Sequence, residues 1–225
     1  MGPNRSGDVG GAGREGRRHR GHGPGTLLPQ VVAIGARRRG VRGPRIYRAW
    51  AMPAADTFDC PPLGDFVRRY LRQSRISVDP FARNKLWATY TNDLNAETEA
   101  ESHMDAVAFL RGLRERDKPD LFIIDPPYSP RQVKECYDGI GLVAGIEDTQ
   151  TGRLYRHIRE QINDLAEVGA IVLWFGWSSV GMGAPWDLLE MLCVCHGGAH
   201  NDTIATAWRL SHKPASLFDA TWGTA

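Results

Sequence analysis

The chain has 225 residues, 24% charged and 42% hydrophobic, with a formal net charge of +2. That length suits one domain with a tail; no run approaches the ~18 consecutive apolar residues of a membrane span, and the basic start lacks the apolar core and cleavage pattern of a secretory signal. Cys60, Cys136, Cys193 and Cys195 are too few and scattered for a secreted disulfide framework, so the cytoplasm is the expected compartment.

The small net charge averages two unlike parts. Residues 1–50 hold eleven arginines against Asp8 and Glu15 and are rich in glycine, so the remainder is net acidic. A segment of that composition buries too little apolar surface to fold alone. Residues 1–51 are therefore expected to be a disordered tail, with Met52 a candidate start. Residues 52–212 would form the folded domain and 213–225 a C-terminal tail. Nonspecific phosphate binding is the functional reading of the basic segment.

Helices and strands then alternate. Residues 63–73 place Phe66, Val67, Tyr70 and Leu71 on one helical face. ISVD gives a first strand ending at Asp79, and LWATYTNDL a second ending at Asp93. A helix is expected from Asn95, with Glu97 and Glu99 in its first turn. His103-Met104-Asp105 reads as a short third strand, and AVAFLRGLRER as a helix. LFII is the fourth strand. A glycine-containing insertion over 129–152 is expected to act as a mobile lid. Leu154, Ile158, Ile162 and Leu165 mark a helix closed by Gly169. AIVLWFGW is a fifth strand, PWDLLE a short helix, and MLCVC and TIATAWRL a final hairpin pair. Such alternation predicts an α/β fold, a doubly wound, mostly parallel sheet with one antiparallel strand.

The chemistry concentrates at residues 121–130, LFIIDPPYSP. A continuous apolar run suits a strand covered on both faces, and Asp125 sits at its carboxyl end, where open α/β sheets bind ligands. Pro126 and Pro127 lack N–H groups and fix φ, so the corner is stiff and rich in acceptors. A flat, amine-bearing ring fits it. Asp125 and the Pro126 carbonyl could each accept one N–H of an exocyclic amine, and Tyr128 could stack on the base for roughly 1–3 kcal/mol. Asp125 would act by orientation and electrostatics.

Asp125-Pro126-Pro127-Tyr128 resembles the catalytic motif of the S-adenosylmethionine-dependent amino-methyltransferases, chiefly the DNA adenine-N6 type. Residues 56–210 resemble small methyltransferase-like proteins of phage and prophage type. The resemblance implies a Rossmann-like class I methyltransferase fold, S-adenosyl-L-methionine as cofactor and nucleic acid as partner, DNA ahead of RNA. It also implies that Asp93, after the second strand, holds the ribose hydroxyls and that Asp105, after the third, contacts the cofactor's adenine. Asp79 and Phe81 fall in the cofactor loop after the first strand. Phe58 lies in a preceding segment that would meet the methionine end. His196, His200 and Asn201, in the hairpin loop, would lie near the target base. By itself, an Asp at a strand end is commonly a turn or cap residue.

The chain departs from the family in one place. Residues 79–84 (DPFARN) contain no glycine, whereas that loop normally carries glycines that let backbone approach the cofactor. A catalytically silent binding or accessory module is thus a second reading. No metal is expected: Cys193 and Cys195 share one strand face, but no second cysteine pair completes a tetrahedral set. The expected domain leaves little room for a separate recognition unit, so recognition is expected to be relaxed or supplied by a partner.

Overall fold

The computed structural model describes residues 30–31, 43–113, 118–139, 141 and 151–213. Among the described residues, eight strands form one sheet in the order β1-β2-β7-β8-β6-β5-β3-β4. They are β1 (Gln30–Val31), β2 (Arg45–Trp50), β3 (Ser77–Asp79), β4 (Tyr90–Thr91), β5 (Leu121–Ile124), β6 (Ile171–Gly176), β7 (Trp186–Cys195) and β8 (Thr203–Leu210). Strands β4, β3, β5 and β6 run parallel, β8 is antiparallel to both β6 and β7, and β2 joins β7 in parallel. The order reverses direction at β3 and β5, with crossovers on either side. This is a doubly wound, mostly parallel, Rossmann-like arrangement, ending in an antiparallel hairpin strand.

Local chemistry explains the elements. Helix α1 (Pro61–Leu71) opens on two prolines, whose missing N–H groups would lack helical partners anyway. It buries Leu63, Phe66 and Val67 against one sheet face with Ile123, Leu173 and Phe175. Gly64 is required there, because a Cβ would lie 2.4 Å from the Phe58 carbonyl oxygen. Helices α2 (Ala106–Gly112) and α4 (Thr151–Leu165) cover the other face, where Leu110, Ile158 and Ile162 meet Phe122, Val172 and Trp174. Helix α3 (Pro130–Gly139) follows the β5 corner.

Several expected elements differ. The second strand shrinks to Tyr90–Thr91, and the helix expected from Asn95 is a turn in which the Asn95 side chain accepts from Glu97 N at 2.9 Å. That segment has no apolar face to bury. The third strand is reduced to a single bridge, Asn92 to Ser102, and Asp105 caps α2 instead. PWDLLE is strand, not helix: Trp186 and Glu190 are buried within β7, and a long ladder with β8 outweighs local propensity. The first part of the expected lid is α3; residues 140 and 142–150 lie outside the described set. The helix expected to close at Gly169 ends at Leu165, and Gly169 (φ 96°) turns the chain into β6.

Strand β2 lies inside the segment expected to be a tail. It pairs with β7 over six residues, and Arg45 reaches the fully buried Glu190 at 3.0 Å. Arg69, at 2.5 Å, and the Tyr70 hydroxyl, at 2.8 Å, complete that acid's partners. The rest of residues 1–42, and residues 214–225, lie outside the described set apart from β1.

Candidate active site

The stiff corner forms as its prolines require. Leu121–Ile124 is buried throughout, and Asp125 emerges half-buried at the carboxyl end of β5. The Tyr128 hydroxyl donates to Asp125 Oδ1, and the Thr57 side chain hydrogen-bonds to both residues. Gln132, on α3, holds the corner by accepting from Tyr128 N at 2.6 Å, and Tyr155, on α4, donates to the Pro127 carbonyl at 2.9 Å. Trp177, just past β6 and 42% exposed, meets Tyr128 edge to face with ring centroids 5.6 Å apart. The two rings meet at 67°, and the Tyr128 ring carries the hydroxyl that reaches Asp125.

Burial raises the Asp125 carboxyl from 3.8 to about 6, against the lowering pull of the Tyr128 and Thr57 hydrogen bonds. Asp79, fully enclosed at the end of β3, is pushed well above the carboxylate range by burial, and Asp125, Asp93 and Asp56 add to the shift. Asp125, Asp93 and Asp56 thus lie close enough to act on Asp79, and Asp56 and the Arg83 guanidinium act on Asp125.

The expected cofactor residues divide. Asp79 turns inward and accepts from Phe81 N at 2.9 Å, while Phe81 packs against the core. Asp93 bridges two turns, accepting from Arg83 N at 3.1 Å and from Asn95 N at 2.9 Å. Arg83 has φ 50°, a left-handed conformation that glycine would adopt without cost. Asp105 accepts from Val107 N and Ala108 N as the cap of α2. Phe58 is 4% exposed, stacked on Trp87 and edge-on to Phe175, so it belongs to the core. His196 is buried too, its ring bridging the Ala51 carbonyl (2.8 Å) and Thr203 Oγ1 (2.9 Å); His200 and Asn201 are exposed on the hairpin loop.

Sequence reasoning missed Asp56, Thr57, Asn92, Arg83 and Trp177. Asp56 caps the turn Thr57–Asp59 and so delivers Thr57 to Asp125. Asn92 is fully buried and joins the strand ends, donating to the Pro80 and Met104 carbonyls and accepting from Met104 N. The Asp-Thr and Thr-Asn-Asp sequences were visible, but their roles depend on neighbours distant in the chain.

Fold and site together define a Rossmann-like α/β protein with an acid-lined, aromatic-walled corner at the carboxyl edge of its sheet. No family model matches the chain, and no curated protein matches it. Among solved structures it is similar to one titled "Putative methyltransferase yhhF from Escherichia coli", with 13% identity, 71% of this chain and 89% of that chain covered, and a TM-score of 0.42. It is also similar to a "putative methylase HI0767 from Haemophilus influenzae", with 12% identity, 72% and 92% covered, and a TM-score of 0.38.

Proposed function

We propose that this protein transfers a methyl group from S-adenosyl-L-methionine to the exocyclic amine of a nucleic-acid base, with adenine N6 in DNA as the target. The observation that carries the reading is the corner itself: at the end of β5 the Tyr128 hydroxyl meets Asp125 and the Tyr128 ring packs against Trp177. The acid-lined edge suits a cationic sulfonium, which supplies an electrophilic methyl when the cofactor is bound. Asp93, Asp56 and the 79–84 backbone are the groups that would hold that cofactor.

Asp125 accepts one amine N–H and the Pro126 carbonyl the other, which frees the nitrogen lone pair for attack. A carboxyl near pH 6 is mostly ionised at neutral pH and ready to accept. Tyr128 and Trp177 exclude water and offer faces to a flat ring. The amine must first displace the Tyr128 hydroxyl from Asp125.

A second reading, a cofactor-silent module, is favoured by the inward turn of Asp79 and the glycine-free loop. Calorimetric titration with S-adenosylmethionine separates the two. The proposal expects saturable binding, then tritiated-methyl transfer to unmethylated DNA or RNA, with N6-methyladenine found by nucleoside analysis. Methylation at carbon 5 of cytosine would overturn it. Absence of saturable binding would favour the second reading, and binding without transfer to either nucleic acid would contradict both.

A further inference from the structure

The structure assigns a second site, remote in chemistry from the corner. We infer that Cys193, Cys195 and Asp202 bind a thiophilic divalent cation of the zinc type and so pin the β7–β8 hairpin loop to the sheet.

Cys193 and Cys195 stand one residue apart near the end of β7, so both side chains leave the same face. Their sulfurs are 4.0 Å apart. Two thiolates about 2.3 Å from a tetrahedral ion lie about 3.8 Å apart, so the pair is already near that spacing. A disulfide would need about 2 Å. Asp202 comes from the far end of the hairpin loop, where sequence spacing gave no reason to count it as a ligand. Its Oδ2 is 4.0 Å from the Cys193 sulfur, and all three donor atoms lie within 4.8 Å of one another. Its Oδ1 accepts from His196 N at 3.2 Å, so the carboxylate both closes the loop and faces the thiols. Asp202 is exposed, which leaves a fourth position for water.

Charge supports the assignment. Two thiolates and a carboxylate carry −3, and a divalent ion leaves −1. Arg48, opposite Cys193 on β2, donates Nε–H to the Cys195 sulfur at 3.0 Å and brings the total to zero. Such an outer hydrogen bond orients a thiolate and moderates its charge. Uptake releases one proton from each thiol. Its structural consequence is that residues 196–202 become cross-linked to β7, next to β2.

The test uses the full chain, reduced and desalted without oxygen, titrated with cobalt(II). The expected result is one ion per chain, with a near-ultraviolet thiolate charge-transfer band and the visible bands of tetrahedral cobalt, all displaced by zinc. Cys193→Ser, at a half-exposed position, should abolish the charge-transfer signal. Asp202→Asn should weaken binding at least tenfold, and Cys136→Ser, on α3, should change nothing. Zinc should raise the melting temperature of the parent protein but not of Cys193→Ser. A missing thiolate band, a band that survives Cys193→Ser, or one ion shared by two chains would overturn the inference.

Discussion

The hydroxyl of Tyr128 donates to the carboxylate of Asp125. The ring expected to cover a base thus occupies the acceptor expected to receive that base's amine. Thr57 joins the same cluster, so the corner is internally satisfied before any substrate arrives.

Tyr128→Phe should therefore separate the two roles. The ring remains for stacking, while the competing donor is gone. Methyl transfer should persist, and the KM for nucleic acid should fall or stay unchanged. Because the lost hydrogen bond had lowered the Asp125 pKa, the acid limb of the kcat/KM profile should move to higher pH. A variant with no transfer activity and an intact fold would show that the hydroxyl itself is required.

Asp125→Asn should abolish transfer and stabilise the fold. The folded carboxyl titrates at about 6, above its ordinary 3.8. Neutral Asp125 is thus favoured in the folded state, and that advantage is complete below about pH 4 and lost as pH rises through about 6. Asparagine cannot ionise, so the variant should exceed the parent by up to about 2–3 kcal/mol at pH 8 and match it at pH 4. Denaturant melts at the two pH values check this. Equal stability at pH 8 would contradict the raised pKa.

Truncation should be sharply dependent on position. Deletion of residues 1–42 leaves β2 in place and should preserve a cooperative melt. Deletion of residues 1–51 removes β2, the Arg45 partner of buried Glu190 and the Ala51 carbonyl that His196 binds. It should lower the melting temperature clearly, because the six-residue ladder with β7 and one of the three partners of Glu190 are lost, although Arg69 and Tyr70 remain. Identical melting temperatures for the two truncations would show β2 to be dispensable.

Asp93→Ala should weaken S-adenosylmethionine binding at least tenfold and also lower the melting temperature. The carboxylate is already committed to two backbone donors, Arg83 N and Asn95 N, each bond to a charged acceptor contributing roughly 1.5–3 kcal/mol. Asp105→Ala should lower stability by about 1 kcal/mol, as for any lost helix cap, with little effect on cofactor affinity. Calorimetry and thermal melts on both variants distinguish holding the cofactor from holding the loop.

The sequence by itself determined the sheet's buried strands and the corner that follows one of them. LFII and AIVLWFGW are continuous apolar runs, and Pro126-Pro127 can end a strand in few ways, so local pattern and backbone geometry sufficed. Short polar segments were not legible. Residues 86–105 carry no apolar period, and their shape is set by buried Asn92, which binds Pro80 and Met104 from across the loop. Nor was β2 legible, since its arginine-rich neighbourhood reads as solvated. A strand forms there because β7 offers an open edge and Glu190 a buried charge that Arg45 and Arg69 neutralise. The tertiary structure alone decided which carboxylates face the site: Asp56 comes to Asp125, Asp79 turns inward, Asp93 ties two turns together and Asp105 goes to a helix cap. A carboxylate's role depends on which N–H groups lie within about 3 Å, and those come from residues remote in sequence.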